Sequence, residues 1–367
     1  MLDAQRLLGS TLEKFEKTAA RVRDGVPYRT VNGVYNNMEN EIDWWTNGFW
    51  AGMLWLAFRR THNQAYAEYA RGVEKKLDSA MSAFFGLHHD VGFMWHLSAV
   101  ADFRITGNPV SARRGMEAAT ILASRYNPRG CFIKAWNGVE RNGWAIIDCM
   151  MNLAILYWAA DYMGDPHFSN LAQAHAQTTM RRFIREDGSV RHICVFDPVT
   201  GAYLNNLAGQ GYGVESAWSR GAAWALYGFT LGAHYTGRAD FLETAEKVAD
   251  FFLHHLPEDH VPFADFKAPA AENIHRDTSA AACAASGLAL LSTLTESGRA
   301  ARYRTAAEEI LDSLYRNYID WEHDEALLQQ GCTAYHAPAE EQNTSLIYGD
   351  YFFLEALDRL CGGEGLF

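Results

Sequence analysis

The sequence predicts an all-α protein: an (α/α)6 barrel of six inner and six outer helices, with long loops and a small β-ribbon gathered at one end, and residues 1–367 forming one domain. Three observations lead there. Apolar residues recur at helical spacing almost throughout the chain. Amphipathic and nearly all-apolar segments alternate with a repeat of about sixty residues. The connections also differ in length according to which kind of segment they leave.

The first segment, residues 2–22, spreads its charges around one wet face, as an outer helix does. Residues 48–59, "GFWAGMLWLAFR", are apolar nearly all round and predict an inner helix. The alternation then continues with a wet helix at 64–80, a dry one at 92–105, a wet one at 110–126 and a dry one at 146–162, "IIDCMMNLAILYWAADY". It closes with wet 166–184, dry 217–236, wet 239–255, dry 278–294, wet 298–316 and dry 347–360. Alanine and glycine in the dry segments allow close approach. Dry-to-wet connections are short and share turn chemistry, "TGNP" at 106, "MGDP" at 163 and "TGRAD" at 236. Wet-to-dry connections are long: 23–44, 127–144, 185–215, 256–275 and 317–345. Antiparallel neighbours place all of these at one end, where they can build a site. Two helical bundles or an open solenoid are the alternative arrangements. Residues 185–205 read as a β-ribbon around a DPVTG turn, a loop elaboration.

Composition bounds the function. A hydrophobic content of 49% supplies a large core. The N-terminal segment has no basic flank followed by an uninterrupted apolar run, so a cytoplasmic protein without a signal peptide is expected. No window is apolar enough to cross a bilayer. The cysteines at 131, 149, 194, 283, 332 and 361 form no C-x-x-C pair and are expected to be reduced. A formal charge of -12 argues against a nucleic-acid surface. The chain is expected to act as a monomer or homodimer without a cofactor: phosphate loops, a G-x-S-x-G elbow and H-E-x-x-H are absent from the sequence. His88 and His89 are neighbours that would diverge on a helix, so no metal site is expected there.

Each dry segment opens at the long-loop end with a polar or aromatic cluster: "WWTNGFW", "HHDVGF", "IIDCMMN", "WSRGAAW", "HRDTSA" and "YGDYFF". Capping is the ordinary reading of Asn47, Asp90, Asp277 and Asp350. Asp148 resists it, because it lies between Ile147 and Cys149 in an apolar run where a carboxylate is costly without partners. A buried acid of raised pKa is what a general acid at neutral pH requires. Asp90 could supply a second carboxylate. Arg220 and Trp224, four apart, could present a guanidinium and an indole together to an acidic sugar; an arginine merely stacked on that indole is the plain alternative.

In order along the chain, "DWWTNGFWAG", "HHDVGFMW", "IKAWNG", "IIDCMMNL", "FDPVTG", "WSRGAAWALYGF", "HRDTSAAA" and "YGDYFFLEAL" resemble the unsaturated glucuronyl hydrolases, glycoside hydrolase family 88, over residues 43–357. The resemblance implies the same (α/α)6 fold and removal of the unsaturated uronic acid that polysaccharide lyases leave on oligosaccharides. The ligand is then a small acidic oligosaccharide. Asp148 becomes the acid/base catalyst, paired with Asp90 against sugar hydroxyls beside it, with His89 adjacent. Trp45, Trp136 and Trp224 are implied to line the ring pocket, His192, Gln210 and Arg220 to supply polar contacts, and Tyr335 to lie near the next subsite. Arg220 is the choice for the substrate carboxylate. The chain departs from the family pattern at Asn47, where Asp is frequent, and at Ala222, where Gln is frequent. Residues 333–346 contain "AEE", which disfavours a sulfate on the neighbouring sugar. Rival readings are another (α/α)6 enzyme, such as an epimerase or an unsaturated rhamnogalacturonyl hydrolase, and a non-catalytic helical scaffold.

Overall fold

The dry helices close into a ring. A computed structural model describes residues 3–367; the predicted start of the first helix at Leu2 lies outside them. Phe49–Thr61 packs on the helical stretch 91–106, which packs on Cys149–Asn152, then in turn come Ser219–Thr236, Thr278–Leu291 and Ile347–Leu360, and the last returns to the first. The wet helices lie outside it, among them Gln64–Ala83 on Phe49–Thr61, Pro166–Arg182 on Ala154–Met163, Ala239–His254 on Ser219–Thr236 and Ser297–Asn317 on Thr278–Leu291. This is the closed barrel rather than an open solenoid. No helix among the described residues is long and apolar enough to cross a membrane, and the cysteines are free thiols.

The short turns owe their likeness to shared chemistry. Gly107, Gly164 and Gly237 each take a left-handed conformation that ends an inner helix. Asn108 and Asp165 then cap the next helix, accepting from Val110 N and His167 N, and Pro109 and Pro166 follow in its first turn. At the same end, the barrel is sealed. Glu355, fully buried, accepts from Tyr227 OH (2.8 Å), Ser286 Oγ (2.7 Å), Tyr351 OH (2.7 Å) and Leu366 N (2.9 Å). Phe367 fills the space beneath, against Phe93, Phe352 and Tyr351. Access is left to the long-loop end.

Inner helices meet closely where side chains vanish. A Cβ on Gly92 would stand 2.5 Å from Asn152 Oδ1 and 2.6 Å from its Cα, so the second and third inner helices touch only because residue 92 is glycine.

Two local expectations change. Of the four cap-type residues, only Asp277 caps with its side chain, accepting from Ser279 N and Ala280 N. Asp350 lies inside its helix and instead accepts from Leu327 N (2.7 Å), Leu328 N (2.8 Å) and Tyr35 OH, while the Asn47 amide donates to Glu41 O and Ile42 O. These groups pin the long loops to the barrel rather than starting helices. The β-ribbon is also more than an elaboration. Its strands, Ile193–Phe196 and Tyr203–Leu207, recruit a third, Trp144–Ile146, which leads directly into Asp148.

Candidate functional site

Sheet register brings the first pair of polar groups together. Ile146 pairs with Ile193, and Ile147 N continues the ladder by donating to His192 O (3.0 Å). Asp148 and His192, far apart in sequence, therefore emerge side by side at the barrel mouth, with Asp148 Oδ2 and His192 Nε2 3.4 Å apart. Gln210 N donates to His192 Nδ1 (2.8 Å), which leaves the ring proton on Nε2, facing the carboxylate. Trp218 supports the imidazole with ring centroids 4.6 Å apart. The side chain of Asp148 is 15% exposed, so it is reached from the barrel mouth rather than enclosed as its apolar neighbours suggested.

The second half of the site comes from the turn before Val91. His89 is fully buried, its Nδ1 donates to Ala135 O (2.8 Å), and its Nε2 lies 3.2 Å from Asp90 Oδ1. Burial lowers the pKa of His89. Burial alone would raise that of Asp90, but the adjacent His89, His88 and the Asn152 amide outweigh it and hold the carboxyl below its ordinary value, ionised at neutral pH.

Asn152 joins the two halves. Its Nδ2 donates to Asp90 Oδ1 (3.1 Å) and to Asp148 O (3.3 Å), while its Oδ1 accepts from Phe93 N (2.7 Å). The sequence displayed it four residues after Asp148 in an apolar run, the signal of a polar group on the same helix face. Asn152→Ala leaves Asp90 and the Phe93 N–H short of a partner, a loss of about 1–3 kcal/mol. We expect kcat/KM to fall about tenfold and its pH profile to shift, with Asn152→Ala retaining a cooperative melt; an unchanged profile and rate would reduce Asn152 to a core residue.

The predicted residues thus form one run of contacts. Trp136, half-buried, stands edge-on to His89 (6.0 Å, 86°). Gln210 Nε2 donates to Thr333 O (2.6 Å), and Tyr335 N donates to Gln210 O (2.8 Å). Trp45, half-buried, lies 4.9 Å from Tyr348 and 5.6 Å from Phe93. Trp224 is deeper, fully buried between Phe93 and Phe352, so it forms the floor rather than a wall.

Arg220 is enclosed beneath the loop that carries Tyr335. It is 1% exposed and stacked on Trp218 (4.4 Å), its Nη1 pairs with Asp277 (2.6 Å), and it donates to the carbonyls of Cys332 and Thr333. A guanidinium this buried is tolerable only when paired, and Asp277 with the two loop carbonyls supplies that pairing.

The arrangement points to a ligand-binding cleft. Buried polar atoms ordinarily find protein partners; here His89 Nε2, Asp148 Oδ2, His192 Nε2, Trp218 Nε1, Trp224 Nε1 and Tyr335 OH have none and cluster together, whereas others such as Trp55 Nε1 and Tyr157 OH are scattered through the core. The clustered atoms belong to the mouth or floor just described. A carboxylate beside an N–H donor, a second anionic carboxylate and indole walls suit acid–base chemistry on a sugar.

Comparison with known proteins agrees with the chemistry. Residues 16–352 match Glycosyl Hydrolase Family 88. An unsaturated glucuronyl hydrolase of Bacillus sp. (strain GL1) is 35% identical, covering 98% of this chain and 95% of its own. An unsaturated chondroitin disaccharide hydrolase of Streptococcus agalactiae serotype III (strain NEM316) is 34% identical, with 90% and 84% covered. The crystal structure of the unsaturated glucuronyl hydrolase from Bacillus sp. GL1, described as responsible for the degradation of glycosaminoglycan, superposes with a TM-score of 0.92 at 33% identity, over 97% of this chain and 96% of that one. The protein is therefore a glycoside hydrolase and belongs to family 88.

Proposed function

We propose that the protein removes the 4,5-unsaturated uronic acid from the non-reducing end of lyase-generated oligosaccharides by hydrating its enol ether. The observation that carries this is the facing pair Asp148 Oδ2 and His192 Nε2, 3.4 Å apart at the open end of the barrel with the Asp148 side chain partly exposed. In this reading Asp148 delivers a proton to C4, and positive charge develops on C5 and the ring oxygen. Water adds at C5 and returns a proton to Asp148, so one carboxylate serves as acid and then base. The hemiketal opens at the C5–ring oxygen bond, and the hemiacetal left at C1 expels the leaving sugar, yielding an open keto-acid. No covalent enzyme intermediate is needed, so the separation rules for ordinary glycosidase carboxylates do not apply.

Asp90 orients the sugar hydroxyls, Trp45 and Trp136 flank the ring, and Tyr335 reaches toward the next sugar. Arg220 is held by Asp277 and the loop carbonyls, and in this reading the uronate carboxylate is met by the His192 Nε2–H and the indole N–H groups. Glu341, which accepts from Thr333 Oγ1 (3.0 Å), adds negative charge to the loop beside that subsite and favours unsulfated substrates. The whole chain acts as one catalytic domain, in the cytoplasm, as a monomer or homodimer. Incubation with unsaturated disaccharides from hyaluronan, chondroitin, heparin and gellan should bleach the ultraviolet absorbance of the conjugated enol acid, fastest for unsulfated forms. No loss with any of them would overturn the reading.

A further inference from the structure

We propose that His88, His89 and Asp90 form a site for a borderline first-row metal ion of the Zn2+ class, and that an ion held there blocks the catalytic cleft. The second half of this statement rests on the cleft assignment above; the first half does not. Sequence alone suggested that neighbouring histidines diverge. They do not, because all three residues precede the helix that begins at Val91 and lie in a turn. His88 Nδ1 is 3.3 Å from Asp90 Oδ2, His89 Nε2 is 3.2 Å from Asp90 Oδ1, and the ligand atoms all lie within 4.8 Å of one another.

Those separations suit a metal shell. Ligands about 2.0–2.1 Å from a tetrahedral zinc ion stand roughly 3.3–3.4 Å apart. His88 Nδ1 has that distance from Oδ2 and His89 Nε2 from Oδ1, so the carboxylate lies between the two imidazoles, and an ion exchanges the weak contact from Asp90 N to His88 Nδ1 (3.4 Å) for its own. An independent observation points to a cation. His89 donates through Nδ1 to Ala135 O, which turns Nε2 toward Asp90. That atom is fully buried, has no hydrogen-bond partner and faces a carboxylate oxygen. A ring nitrogen and a carboxylate oxygen so placed are satisfied together by a cation between them.

The surroundings fit as well. An Nδ1–H bound to a backbone carbonyl is the support that orients a metal-ligating histidine, and the Asn152 amide holds the carboxylate in the same way. His88, 22% exposed, provides the route from solvent. Two imidazoles and one carboxylate suit Zn2+ with a fourth position open, whereas Mg2+ and Ca2+ require shells dominated by oxygen. An ion there takes Asp90 and His89 Nε2 away from the sugar.

Isothermal titration of the metal-free full chain with Zn2+, and the visible spectrum of the Co2+ form, test the site directly. We expect one ion per chain, a cobalt spectrum without a thiolate charge-transfer band, no binding of Mg2+ or Ca2+, and affinity weakened at least about tenfold in both His88→Ala and His88→Gln. Failure to bind Zn2+ or Co2+, a thiolate spectrum, or affinity indifferent to both variants would overturn the site. In the activity assay, Zn2+ should raise the apparent KM reversibly to chelation, and His88→Ala, normalised to its own uninhibited rate, should need at least about tenfold more ion. Binding without inhibition would overturn the blocking role. A chain inactive on every disaccharide would refute the assigned function, while the titration would still decide the metal site.

Discussion

Asp148→Asn should reduce turnover of an unsaturated uronyl disaccharide by about 10²–10⁴-fold, the range supplied by a positioned proton donor. The substitution preserves the size of the side chain, and Asp148 makes no side-chain hydrogen bond that caps its helix. Melting temperature and circular dichroism should therefore match the wild type, and the variant should bind substrate without consuming it. The loss should appear in kcat, because the proton is needed in the transition state rather than for docking. Near-normal kcat would remove Asp148 as the catalyst.

Arg220→Ala should act mainly on stability. Removing one member of a fully buried pair leaves Asp277 uncompensated and costs about 3–5 kcal/mol. The carbonyls of Cys332 and Thr333 lose their donor at the same moment, so the loop carrying Tyr335 should loosen. The expected results are a lower urea midpoint, faster hydrogen exchange across residues 331–346, and a raised KM as a consequence. A variant of wild-type stability with only a raised KM would reverse the assignment and make Arg220 the cation that meets the uronate. Arg220→Lys separates the two roles further, since a single ammonium keeps the charge but cannot reach Asp277 and both carbonyls with the geometry of a planar fork.

The helical alternation was readable because each segment declares locally how much of its surface must leave water. Residues 146–162 are apolar all round and 64–80 on one side only, and no tertiary contact is needed to sort inner from outer. The short turns were equally legible, since glycine, Asn or Asp and proline act on their own backbone. The polar clusters at the inner-helix starts stood out because a carboxylate in an apolar run is costly.

What the local pattern could not contain was pairing across distance. That Asp148 meets His192 depends on a three-stranded sheet whose register spans nearly fifty residues, about one barrel repeat. Asn152 was visible as a polar residue, but its bonds to Asp90 and Phe93 N exist only once two inner helices touch at Gly92. Arg220 depends on distance in the same way: a cation four residues from a tryptophan reads as a binding group, and the fold adds Asp277 and the carbonyls of residues 332 and 333 around it. His88 and His89 diverge on a helix and converge in the turn that the chain makes. By itself the sequence determined the barrel, its open end and the residue types at the mouth, because burial and turn chemistry are local demands. Only the tertiary structure decided which polar groups are satisfied by the protein and which are not, because hydrogen bonds and ion pairs are settled by partners from distant segments.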